Sequence, residues 1–139
     1  MSKTYAKYLL MAGGLLLWLV LGSTTAQAMD RWAALSWMES RNNDAAVGRG
    51  GEISRFQIQP ALWKKYCRSH SLSGHTNPRV ALQVAQAIMA DRSRDFERRY
   101  HRHPTTFQYY ILWVSPSQMA RPGRVVSRRA VRFCHLVGS

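Results

Sequence analysis

From residue 29 onward the apolar residues of this chain recur at intervals of three and four, and each recurrence follows a helix-start signal or a breaker. That pattern confines the fold to packed helices. Asp30 is a good N-cap, and Trp32, Leu35 and Met38 predict a helix over Asp30 to Ser40. Pro60 at a first helical position predicts a second helix through about Ser69. Asn77 caps and Pro78 starts a long one marked by Val80, Val84, Ile88 and Phe96, ending near Tyr100. After His103-Pro104, the residues Phe107, Tyr110, Ile111 and Val114 make a fourth stripe, and Val126, Ala130, Phe133 and Val137 a terminal one. Between them lie loops: Arg41 to Glu52, with Gly48, Gly50 and Gly51, then 69–77, then Pro116 to Gly123. Glu52 to Ile58 leaves room for a very small extended piece. The expected class is mainly α, with about five helices and one long Gly-rich loop.

The first 28 residues read differently. Lys3 and Lys7 precede an uncharged, mostly apolar run from Leu9 to Leu21, and Ala26-Gln27-Ala28 has the A-x-A form of a cleavage site. This is the layout of a secretory signal peptide. The run falls short of the roughly 20 apolar residues a spanning helix needs, so no stable membrane span is expected after cleavage. The expected organisation is a signal peptide over 1–28 and one domain over 29–139, in a secreted or periplasmic, monomeric protein.

The whole chain carries 20 Lys+Arg against 7 Asp+Glu, a net charge of +13. Losing Lys3 and Lys7 with the leader leaves 18 basic residues against the same seven acids. A basic cytosolic protein usually meets nucleic acid. A basic exported one more often meets anionic envelope polymers, so no nucleic acid is expected. Two cysteines in an exported chain, Cys67 and Cys134, read as one disulfide closing a long loop; a pair of buried free thiols is the alternative.

Acids are scarce. Asp91, Asp95 and Glu97 alternate with Arg92, Arg94, Arg98 and Arg99 on the long helix and read as solvated ion pairs. Glu39 stands apart: it ends a Trp-rich apolar helix just before the Gly-rich loop. Burial beside Trp and Met side chains raises a carboxyl pKa, which is what a general acid needs. Asp44 reads as a cap for loop turns. His101 and His103 lack any matched ligand spacing, so no metal is expected, and no cofactor motif is present.

The run from Met38-Glu39-Ser40 through Asn43, Gly51 and Phe56-Gln57-Ile58-Gln59-Pro60 resembles the catalytic segment of the soluble lytic transglycosylase and goose-type lysozyme group. There, a Glu-Ser pair ends a helix. An Asn-containing loop and a Gly turn follow, then a Gly-Leu-Met-Gln-Ile-type stretch. The interval of 18 residues from Glu39 to Gln57 is the common one in that group. Asn77-Pro78 resembles the opening of its next helix. Tyr109 to Pro116 occupies the place of its Tyr-Asn-x-Gly motif. Arg41 stands where Gly is common, Ser54-Arg55-Phe56 replaces Gly-Leu-Met, and Trp113 and Val114 replace the Tyr and the Asn.

The resemblance implies a lysozyme-like fold and cleavage of the β-1,4 bond between N-acetylmuramic acid and N-acetylglucosamine in peptidoglycan glycan strands. It implies Glu39 as general acid and base, with Glu52 the nearest candidate for a second carboxylate. Ser40, Gln57, Tyr109, Tyr110 and Trp113 are the implied substrate-binding residues. Two other readings stay open: a catalytically impaired wall-binding protein on the same fold, and a cationic protein binding nucleic acid or membranes by charge.

Overall fold

The computed structural model describes residues 27–69 and 71–139. The basic and apolar parts of the expected leader, and His70, lie outside the described residues. The fold is mainly α: five α-helices and no sheet among those residues. They are α1 (Arg31–Ser40), α2 (Pro60–Tyr66), α3 (Pro78–Tyr100), α4 (Thr106–Val114) and α5 (Arg124–Val137), with one 3₁₀ turn at Pro116–Gln118.

The punctuation read from the sequence is physical. Asp30 Oδ1 accepts the Trp32 and Ala33 amides at the start of α1, and Asn77 Oδ1 accepts the Arg79 and Val80 amides at the start of α3. Thr105 and Gln108 form a reciprocal capping box on α4. Helix α2 ends three residues earlier than expected. Cys67 is already extended, and beyond it Arg68 and Ser69 are exposed, so nothing apolar draws the helix further.

Helix α4 is the centre. Tyr109 to Trp113 are five consecutive buried residues, so this helix is apolar all round and must be enclosed. Helices α3 and α5 pack on it, α1 packs on α5, and α2 packs on α3. Phe133 of α5 is fully buried and stacks on the rings of Tyr109 and Tyr110.

That arrangement corrects two expectations. Cys67 and Cys134 are not bonded: both are free thiols. Cys67 sits at the end of α2, on the α3 side of the molecule, whereas α5 packs on α4 and α1. The Cys67 thiol instead meets the Ser69 hydroxyl, which with neighbouring amides draws its pKa down. Second, Arg92 is no solvated ion-pair partner. It lies one turn past Ile88 and one before Phe96, on the apolar face of α3, and donates to the carbonyls of Leu112 and Trp113 at 2.8 and 2.6 Å. Burial pushes its pKa down. Arg94 and Arg98 do pair with Asp91 and Asp95, and His103 with Glu97.

Candidate active site

The site begins where α1 stops. Arg41 and Asn42 both take left-handed backbone, φ 59° and 63°, and the Arg41 amide closes on the Trp37 carbonyl. The chain therefore reverses sharply just beyond Glu39. Ser40 Oγ donates to the Arg55 carbonyl and accepts the Asn43 amide. Asp44 pairs with Arg55 at 2.5 Å. These bonds fasten the loop after α1 to the segment before α2.

That segment is a miniature hairpin. Ile53 and Ile58 exchange both backbone hydrogen bonds, at 2.9 and 2.8 Å, and Val47 bridges to Ile53 on the other side. It is the very small extended piece expected over 52–58. Buried Ile53, Phe56 and Ile58 anchor it, and the Phe56 ring meets Trp32 of α1 and Trp113 of α4 edge-on. At its tip Ser54 and Gln57 hold φ of 68° and 52°, and the Gln57 side chain donates to the Ser54 carbonyl.

Between this hairpin, the ends of α1 and α4 and the middle of α5 lies a groove of about 440 Å³. Glu39, Glu52, Gln57, Gln59 and Leu62 line it, with Arg92, Trp113, Val114 and Arg129. The Glu39 side chain is only 11% exposed. Its Oε1 accepts from the Tyr110 hydroxyl at 3.2 Å and from the Arg129 guanidinium at 2.9 Å. No described residue donates to its Oε2. Burial raises the Glu39 pKa above 4.5, against the opposing pull of Arg129 and the Tyr110 bond. Burial and the neighbouring Glu39 carboxylate in turn push the Tyr110 hydroxyl far above its ordinary value.

Glu52 shares the groove but is held by its own loop. Its oxygens accept the Gly50 amide at 3.0 Å and the Gln59 amide side chain at 2.8 Å. Gly48 lies close beneath both side chains: a Cβ there would meet Glu52 Oε2 at 2.2 Å and Gln57 Oε1 at 2.6 Å, so their ends would have to move.

The structure thus brings Glu39, Glu52, Gln57, Tyr110 and Trp113 to one place. Ser40 lies beside them as a loop fastener. Tyr109 is elsewhere: its ring is buried among Trp32, Phe133 and Arg31, and that burial raises its pKa to about 12. Sequence reading missed Arg129 and Arg92. Arg129 falls three residues after Val126 and four before Phe133, within the apolar stripe of α5 and not opposite it. A cation at a stripe position is the signal that would have found it. Among the described residues no group of three or more His, Cys, Asp or Glu is arranged to hold a metal, and no helix is long and apolar enough to cross a membrane.

One prediction follows from Arg129 alone. Arg129→Gln removes the cation that favours ionised Glu39 while its burial persists, so the pKa rises further. A ¹³C NMR titration of the Glu39 carboxyl should then have its midpoint at higher pH than in the parent protein; an unchanged midpoint would mean the pair is not electrostatically coupled. The stability linkage has a definite sign. Because the folded-state pKa is raised, the contribution of Glu39 is fully present below about pH 4.5 and is lost as pH rises through the folded value. Arg129→Gln extends that window upward.

Compared with protein-family models, with curated proteins and with solved structures, the chain matches none.

Proposed function

We propose that this chain is an exported enzyme that cleaves the β-1,4 bond between N-acetylmuramic acid and N-acetylglucosamine of peptidoglycan, with Glu39 as general acid and base. The observation that carries the reading is the Glu39 carboxyl: desolvated in a groove wall, with both its hydrogen-bond donors on Oε1. Protonated Oε2 would give its proton to the glycosidic oxygen as the bond to C1 breaks. The negative charge left on Glu39 would then develop against Arg129 and Tyr110, donors already in place. The oxocarbenium ion would close with the muramoyl C6 hydroxyl, whose proton returns to Glu39, or with water.

The backbone adds support from an independent direction. Arg41 and Ser54 stand where the resembled pattern has Gly, and both adopt left-handed φ, 59° and 68°. These are conformations glycine takes at no steric cost. The motif Tyr of the resembled group supports its catalytic Glu; here Trp113 stands in its place, and Tyr110 supplies the hydroxyl to Glu39.

Digestion of purified sacculi, with mass spectrometry of the products, tests the proposal. Released muropeptides one water lighter than the hydrolysed form indicate closure by the C6 hydroxyl. Glu52→Gln then separates the two chemistries. With Glu39 acting alone, the rate should hold within a few-fold; loss of most activity would assign Glu52 a catalytic role. Val114 in the groove, where the pattern has Asn, favours one other outcome: co-sedimentation with sacculi and no release, which would make this a binding protein.

A further inference from the structure

The outward face of α5 carries a row of cations that the groove chemistry does not use. Arg124, Arg128 and Arg132 are exposed and follow one another at four-residue spacing. They therefore stand roughly 6 Å apart along the helix. None forms an ion pair among the described residues; every ion pair there involves another cation. Arg132 rests on the Trp37 ring at 4.9 Å, and Arg129, on the adjoining face of the same helix, bonds Glu39. Arg132 thus ties one end of the row to α1, and Arg129 puts the row beside the groove.

We propose that this face of α5 binds a flexible linear phosphodiester polymer, lying along the helix with successive phosphates on Arg124, Arg128 and Arg132. Guanidiniums fork onto phosphate oxygens and cannot lose their charge, so a row of them with no carboxylate between is complementary to a chain bearing an anion on every repeat. Two other polyanions fit less well. Single-stranded nucleic acid binding relies on free aromatic rings for base stacking. The nearest ring here, Trp37, already carries Arg41 at 3.6 Å as well as Arg132. A bilayer needs a broad apolar face. This one offers only Val125 and Val131, 73% and 47% exposed. The proposal stands on the surface alone and does not depend on what Glu39 does.

Binding of the purified protein to synthetic poly(glycerol phosphate), followed by fluorescence anisotropy across a salt series, tests it. The probe has no glycosidic bond, so the result is independent of wall cleavage. Arg124→Gln/Arg128→Gln/Arg132→Gln should weaken binding by about 10²-fold at low salt and reduce the log–log salt slope by about 2, at roughly 0.7 per phosphate contact. Arg124→Gln/Arg128→Gln, which removes no contact within the fold, should reduce the slope by about 1.4. A control removing the same charge from α3, Arg94→Gln/Arg98→Gln/Arg99→Gln, should change affinity only a few-fold. Equal losses in the α3 and α5 variants would overturn the proposal in favour of diffuse net charge. Tighter binding to a single-stranded oligonucleotide of equal phosphate number would overturn it in favour of nucleic acid. Tighter binding to phosphatidylglycerol vesicles, lost in Val125→Ser/Val131→Ser, would overturn it in favour of a lipid surface.

Discussion

Glu39→Gln is expected to lower the rate of wall cleavage by roughly 10²–10⁴-fold, with more lost if the same carboxyl also serves as the base. The substitution keeps the volume of the side chain, and the Gln oxygen still accepts from Tyr110 and Arg129, so the groove keeps its shape. What disappears is the acidic proton that can be transferred. The protein should also become more stable at neutral pH, because the cost of ionising a buried carboxyl is gone. Denaturant titrations at pH 4 and pH 7 would show the pH dependence flattened. Folded protein with undiminished cleavage would remove Glu39 from the reaction.

Phe133→Ala is expected to cost about 3–5 kcal/mol. Phe133 is fully buried, and its ring stacks on Tyr109 at 6.2 Å and on Tyr110 at 5.3 Å. Removing it opens a cavity where α5 meets the central helix. Typical domain stabilities are about 5–15 kcal/mol, so much of the total would be lost. Urea denaturation gives the number. Tyr110 carries the hydroxyl that meets Glu39, so loosening its ring should disturb the site as well as the fold. Phe133→Leu, which refills most of the space, should recover most of the stability; if it costs as much as Ala, the stacked geometry matters beyond volume.

What was legible in the sequence was local. The caps Asp30 and Asn77 act within three residues of themselves, and prolines 60 and 78 fix their own φ, so three helix starts could be read without knowing any tertiary contact. The proximity of Glu39 to Gln57 was legible for a similar reason: one Gly-rich loop joins them. What failed needed three-dimensional distance. The cysteine count says nothing of where α2 and α5 point, and a disulfide was expected between elements whose main packing partners differ. Arg92 and Arg129 were hidden by composition. In a chain this rich in Arg, a charged residue reads as solvated unless its place in the apolar stripe is checked, and both occupy stripe positions. Tyr109 and Tyr110 were indistinguishable as letters. Both rings are buried against Phe133, but a rotation of one residue about α4 brings only the Tyr110 hydroxyl to Glu39.

One backbone contact has a consequence for the connectivity of the chain. The Met29 amide donates to the Leu136 carbonyl at 2.8 Å, so the residue entering α1 touches the last turn of α5. The two ends of the helical unit are stitched together, and the path of the chain is close to a ring. A short linker from the end of α5 back to Met29 would span only a few residues, and the ring could be reopened in the 71–76 stretch, whose residues are mostly exposed. A protein permuted in that way would keep α1, α4 and α5 in their present order around the groove. It would also place its two ends beside α2 and the start of α3, away from the arginine row.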